Sequence, residues 1–127
     1  MGGSERGAGA LKPIVWVGSS RRDIASFPLE VRRECGFALY LAQIGLKAEV
    51  AKPLRGFGGA HVLEVVLSDD GKAFRAVYTV AFSDRIYVLH AFQKKSKSGI
   101  ATPQPDVELI EKRLKAVLAR HGASGRK

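Results

Sequence analysis

The chain has 127 residues, 46% of them hydrophobic, so its length fits one domain and its composition excludes an intrinsically disordered protein. The formal charge of +9 favours a polyanionic partner, with nucleic acid ranked before an acidic protein or an anionic membrane surface. One cysteine excludes an intrachain disulfide, and no apolar run approaches the roughly 20 residues that span a bilayer.

The N-terminal half predicts a short strand followed by two helices. Residues 1–12 are rich in glycine, serine and charge and are predicted to form a flexible arm; they lack a signal-peptide pattern, so we expect a cytoplasmic protein. A β-type run at 14–17 predicts the first strand, and 21–27 a short helix. A longer helix is predicted from Pro28 to a C-cap at Gly45. Its apolar stripe includes Cys35, which is therefore predicted to be a buried hydrophobe.

The C-terminal half predicts a three-stranded antiparallel meander and a last helix. Residues 47–60 are predicted to be an irregular connection that carries two candidate RNA-binding residues, Lys52 and Arg55. Strands are predicted at 62–68, 73–82 and 85–93, because turn signals separate three apolar runs. The last helix is predicted to start near Thr102 or Asp106 and to end at Gly122. The expected fold is therefore α+β, with one domain at 13–122, helices packed on one sheet face and a frayed tail at 123–127.

Strand alternation predicts which residues share the other face of the sheet. Tyr87, Leu89 and Ala91 are expected to face the helices, and His90 the opposite side. Glu64 and Arg75 are expected to lie on the same side as His90. The three lysines that follow at the strand end, Lys94, Lys95 and Lys97, would surround this set.

Such a face could bind and cleave a phosphodiester. Arg75 matches two phosphate oxygens, and His90 or a lysine could transfer a proton. The residues also allow simpler interpretations: Arg75 could form a cross-strand ion pair with Glu64, His90 could be structural, and the lysines could be a solvated charge run. The remaining histidines and Cys35 show no metal-ligand spacing, so neither a metal nor another cofactor is predicted.

Several segments together resemble one family, the RelE/ParE superfamily of bacterial toxins. Residues 73–78 resemble its aromatic-Arg-x-x-Tyr strand, and residues 89–97 resemble the Leu-His-x-Phe-x-Lys-Lys strand end of the phage-derived, HigB-like branch. The resemblance extends over about residues 13–120. Its further matches are Trp16 with Ser19 and Ser20, Phe27 with Pro28, Gly36 with Leu39, Gln43 to Gly45, Leu63 with Glu64, and Thr102 with Pro103.

The resemblance implies a RelE-like fold and a toxin of a type II toxin–antitoxin pair. Such a toxin cuts mRNA in the ribosomal A site without a metal, and an adjacently encoded antitoxin, often of the helix-turn-helix type, blocks it. By position, Arg75 matches the arginine that contacts the scissile phosphate, and Lys95 a second basic residue; the match of Lys94 is looser. Glu64 stands where RelE-type relatives carry a lysine, and the base-stacking tyrosine has no clear counterpart.

Three functions therefore stay open at this point. The first is an mRNA endonuclease with Arg75, Lys94, Lys95 and His90 as catalytic residues and Lys97 among the RNA contacts. The second is a non-enzymatic superfamily member, either a gyrase-type inhibitor or a degenerate toxin kept as a regulatory binding protein. The third is a general RNA-binding module, whose affinity would fall steeply with salt and which would not cut the strand.

Overall fold

The fold is a five-stranded mixed sheet with three α-helices, seen in a computed structural model that describes residues 11–94 and 101–125. The strand order is β1-β5-β4-β3-β2. In chain order the elements are β1 (Ile14–Trp16), α1 (Ser20–Ala25), α2 (Leu29–Gln43), β2 (Ala51–Pro53), β3 (Val62–Asp69), β4 (Lys72–Thr79), β5 (Ile86–Lys94) and α3 (Gln104–Gly125). The predicted α+β, RelE-like fold class is confirmed. Among the residues described, no helix combines the length and apolar character needed to cross a membrane.

The meander β3-β4-β5 forms as predicted because its first turn is specified locally. Asp69 pairs with Lys72, which leaves Asp70 and Gly71 as a two-residue loop. Both loop residues have positive φ, 53° and 75°, as a type I′ hairpin requires. The second strand, predicted over 73–82, is shorter than predicted: β4 ends at Thr79.

The connection predicted as irregular contains a short edge strand. In β2, Ala51 pairs with Val65 and Pro53 with Leu63 of β3. A proline has no N–H to donate to a neighbouring strand, so Pro53 is compatible with an edge strand. The same proline lowers the strand propensity of the segment, which is why the sequence did not predict β2. At the opposite edge, β1 pairs with β5 in parallel.

Helices cover both faces of the sheet, so the prediction that they all pack on one face is wrong. Tyr78 of β4 packs with Leu39 of α2 in one buried cluster, which α1 also joins. The preceding residue, Val77, points the other way and packs with Ile110 of α3 in a second cluster. Apolar residues at successive positions of β4 and β5 are typical of strands that are buried on both faces.

A bulge in β5 changes the strict alternation of its side chains. Val77 faces His90 across the ladder, whereas Tyr78 faces Val88, so Leu89 is one extra residue on β5. Because of the bulge, two adjacent residues of β5 both lie on the α3 side of the sheet. Leu89 packs in the α3 cluster, and His90 contacts the start of α3.

The orientations predicted for β5 are partly right. His90 shares the face of Val77, and Ala91 packs in the cluster of α1 and α2, as predicted. Tyr87 and Leu89 lie under α3, so their predicted orientation is wrong. The predicted arm at 1–12 falls mostly outside the described residues; the described Lys12 exchanges hydrogen bonds with Gln43 at 3.1 and 2.7 Å.

Candidate functional site

The candidate site lies on the α3 face of the sheet, where three strands bring polar side chains together. Glu64 of β3 faces Val77 of β4, and Val77 faces His90 of β5. Arg75 lies two residues before Val77 and pairs with Phe92. The structure thus places Glu64, Arg75 and His90 on one face, as strand alternation predicted.

Arg75 and Glu64 form a buried ion pair. Arg75 Nη1 lies 3.2 Å from Glu64 Oε1, and the two side chains are 5% and 10% exposed. Thr102, two residues before α3, donates a hydrogen bond from Oγ1 to the other carboxylate oxygen, Oε2, at 2.9 Å. The segment before α3 therefore covers the pair, and in this conformation the guanidinium does not face solvent.

His90 is held by an acidic residue that the sequence analysis had not assigned to the site. Its Nε2 lies 2.7 Å from Oδ1 of Asp106, in the first turn of α3. The ring of Phe92 stacks on that of His90, with centroids 5.0 Å apart and an interplanar angle of 20°. His90 Nδ1 is buried and has no hydrogen-bond partner among the described residues.

This geometry fixes what the imidazole can do. A neutral ring that donates Nε2–H to Asp106 leaves Nδ1 with a free lone pair, which is the form that accepts a proton. Nothing in the local sequence of Asp106 distinguishes it from an ordinary acidic residue at a helix start, which explains why it was missed.

The lysine cluster is described only at its first member. Lys94 ends β5 opposite Ala73 and is buried, 7% exposed, so it does not belong to a solvated charge run. Lys95 and Lys97 lie outside the described residues, and their proposed roles stay predictions.

An open cleft of about 580 Å³ lies beside β5, between α1 and the start of α3. β1 pairs with β5 at Ile86, Tyr87 and Val88, so the later residues of β5 line the cleft. The lining combines cationic, hydroxyl, aromatic and acidic groups, mainly Asp23, Ser26, Phe27, Phe74, His90, Phe92, Lys94 and Asp106. The cleft is open and its lining is mixed, which suits a flexible polar ligand with flat rings, such as single-stranded nucleic acid.

The other two predicted RNA contacts lie toward the far edge of the sheet. Lys52 of β2 faces Glu64 across the ladder, and Arg55 follows that strand; both are exposed. Lys52 is three strand spacings from His90, or about 14 Å at the usual spacing. Lys52 extends the cross-strand row of Glu64, Val77 and His90, so it lies on the α3 face of the sheet. It does not line the cleft.

Comparison with known proteins identifies the family. No curated protein and no solved structure matches the chain significantly. The family model described as Phage derived protein Gp49-like (DUF891) matches residues 22–115, which extend from α1 into α3 and contain the ion pair and the His90–Asp106 contact. This family is generally associated with RelE/HigB-like toxins of toxin–antitoxin systems. The match spans well over half of the chain, which therefore belongs to the Gp49-like family of phage-derived proteins.

Proposed function

We propose that the protein is the toxin of a toxin–antitoxin pair and that it cleaves mRNA in the ribosomal A site without a metal. The observation that carries the nuclease part is the His90–Asp106 pair beside a cleft that Lys94 also lines. The family and the charge of +9 support an RNA target. The proposed partners are the mRNA and an adjacently encoded antitoxin, of the helix-turn-helix type that this branch often uses.

In the proposed reaction, the ribose 2′-oxygen attacks the adjacent phosphorus. The new 2′-O–P bond closes a cyclic phosphate while the P–O5′ bond breaks. The 2′-hydroxyl proton passes to His90 Nδ1, whose ring Asp106 orients, and the leaving 5′-oxygen takes a proton from Lys94 or Lys95. Lys94 and Lys95 also offset the charge that develops on the phosphoryl oxygens. Because Nδ1 is buried, RNA binding must include a local rearrangement that exposes this atom while Asp106 keeps its contact with Nε2.

Arg75 has a secondary role in this proposal. It lies two ladder pairs from His90 but is bound to Glu64, so it reaches a phosphate only after the Thr102–Glu64–Arg75 contacts rearrange. Once released, the Arg75 guanidinium would add its positive charge to that of Lys94 and Lys95 beside the reacting phosphate.

Controlled expression in a bacterial host tests the proposal. The wild type is expected to arrest growth, and primer extension should map new 5′ ends within translated mRNA. His90→Asn and the double variant Arg75→Ala/Lys95→Ala should abolish the cuts, while Lys72→Ala, at an exposed position beside the first hairpin, should preserve them. Circular dichroism of the purified variants separates loss of chemistry from loss of fold. Arrest with intact mRNA contradicts the nuclease proposal.

One observation favours a second function, a toxin that is not a nuclease. Burial of Arg75 against Glu64 removes the arginine that the resemblance assigns to the scissile phosphate. A gyrase-type inhibitor would give a DNA-damage response with intact mRNA, and a degenerate regulatory binding protein would give neither arrest nor cleavage.

A further inference from the structure

Helix α2 carries a second apolar stripe, on the side opposite its buried one. The buried stripe packs against the sheet and includes Val31, Cys35, Ala38, Leu39 and Ala42. Large apolar residues also stand in water: Leu29 is 49% exposed, Phe37 59%, Tyr40 44% and the C-cap residue Ile44 41%. At 100° per residue these four fall within an arc of about 80°, centred opposite the buried stripe. We call them the outer stripe.

The outer stripe is unusual for the solvent side of a helix, where polar residues normally stand. A contiguous exposed apolar patch of this kind marks a protein-binding surface. Arg33, Phe37, Tyr40 and Ile44 follow each other at intervals of four, three and four residues, which is the spacing of a coiled-coil seam. Gly36 borders the seam, and apart from its chain neighbours and the backbone of its own helix no described atom lies within 4 Å of the position that its Cβ would take. A partner helix could therefore approach closely at this point.

A second cleft, of about 510 Å³, lies at the C-terminal end of α2. Leu46, 59% exposed and two residues after Ile44, lines this cleft, and Leu54 and Val80 supply further apolar lining. Lys12 and Lys47 supply positive charge, and none of the described lining residues is acidic. This cleft has no lining residue in common with the cleft beside β5.

We propose that the outer stripe and the second cleft form the docking surface for an amphipathic, acidic helix supplied by the antitoxin. This inference rests on the proposed toxin–antitoxin function. The apolar side of the partner would pack on Phe37, Tyr40 and Ile44, and its acidic residues would face Lys12 and Lys47. A second copy of this chain fits poorly, because each copy carries a charge of +9.

The charges of α2 also set the direction of the partner helix. Glu30 and Glu34 flank the first turns of the outer stripe, and Glu30 already pairs with Arg33 at 3.2 Å. Arg32 and Arg33 offset these two carboxylates, whereas Lys12 and Lys47 at the other end have no acidic neighbour in the described lining of the second cleft, so acidic partner residues would be attracted there. The acidic end of the partner should therefore lie over the C-terminal end of α2.

Titration of the full chain with two synthetic peptides tests the proposal. Each peptide is about three heptads long, because shorter isolated helices are marginal in water. Both carry leucine at the seam positions; one has glutamate at the flanking positions and its twin has lysine. Fluorescence anisotropy should show binding of the acidic peptide only. Phe37→Glu/Leu46→Glu should weaken binding on the order of tenfold or more, because it places charge in the apolar contact.

Leu118→Glu is the matched control, since Leu118 is an exposed apolar residue of α3, 43% exposed, outside the proposed surface. It should bind the acidic peptide like the wild type. Absence of binding, or equal binding of both peptides, overturns the proposal. Light scattering that shows a dimer of the chain, lost in Phe37→Glu, overturns it in favour of a second copy.

The outcome for this surface can be separated from the outcome for the nuclease. Phe37→Glu/Leu46→Glu leaves the cleft beside β5 unaltered, so it should still cut mRNA if the wild type does. Peptide binding without any mRNA cleavage would remove the nuclease proposal and keep the docking surface. Cleavage of mRNA without selective peptide binding would remove the docking surface and keep the nuclease proposal.

Discussion

Replacement of Glu64 by glutamine isolates the charge of the buried ion pair. The variant keeps the size of the side chain and an oxygen that can accept the hydrogen bond from Thr102. It removes the carboxylate charge that faces the Arg75 guanidinium, whose side chain is 5% exposed. Breaking a buried pair by removing one partner costs about 3–5 kcal/mol, a large share of the roughly 5–15 kcal/mol that stabilises a domain.

Urea unfolding measures this cost, with the fluorescence of the single tryptophan, Trp16 in β1, as the signal. The matched control is Glu30→Gln, which breaks the exposed Glu30–Arg33 pair, with side chains 68% and 66% exposed, and should cost less than about 1 kcal/mol. The double variant Glu64→Leu/Arg75→Leu should lose less stability than Glu64→Gln, because it removes both charges of the pair. A loss below about 1 kcal/mol for Glu64→Gln would refute the reasoning.

The same substitution also tests the proposed role of Arg75. If the arginine contacts the scissile phosphate once it is released, Glu64→Gln should raise mRNA cleavage per folded molecule, measured at a temperature where the variant stays folded. If Arg75 only stabilises the fold, cleavage should stay unchanged.

Three further substitutions or measurements probe the packing. Gly18→Ala should lose about 1–3 kcal/mol in urea unfolding, because Gly18 has φ of +56° and its Cβ would lie 2.6 Å from Arg113 Nη2, in a guanidinium that bonds Leu89 O. Cys35 should not react with a disulfide reagent at pH 8 until the protein is unfolded, because burial raises the pKa of its thiol to about 12. Tyr78→Phe should change stability little at pH 7, because the hydroxyl has no partner among the described residues. Burial raises the pKa of Tyr78 from 10.0 to about 12, so wild-type stability should fall as pH rises through this window, and Tyr78→Phe should lose less.

Much of the fold could be predicted because its signals are local. The apolar stripe of α2 and the turn at Asp70 and Gly71 act over a few residues, and both are found as expected. The edge strand β2 was missed because a three-residue strand that ends in Pro53 has no propensity signal. The cover of the second sheet face by α3 was missed because a helix pattern predicts an apolar side but not the surface against which it packs.

The residues of the candidate site were predictable only as far as each strand places its own side chains. Alternation put Glu64, Arg75 and His90 on one face, and the bulge at Leu89 left that result intact because it lies before His90. Asp106 could not be found in this way, since it comes from a helix 16 residues further along the chain, whose docking depends on the whole fold.

The sequence also could not decide between a phosphate-binding Arg75 and an ion-paired one, because both need the arginine on the face of Glu64. The 3.2 Å contact decides for the ion pair in this conformation. Thr102 also donates a hydrogen bond to the second oxygen of Glu64, so the ion pair is linked to the segment just before α3. The same helix holds His90 through Asp106. A shift of Thr102 alone would therefore weaken the hold on Arg75 and leave the contact between Asp106 and His90 in place. If a substrate causes this shift, Arg75 becomes available beside an oriented His90, so an ion-paired arginine is compatible with a nuclease.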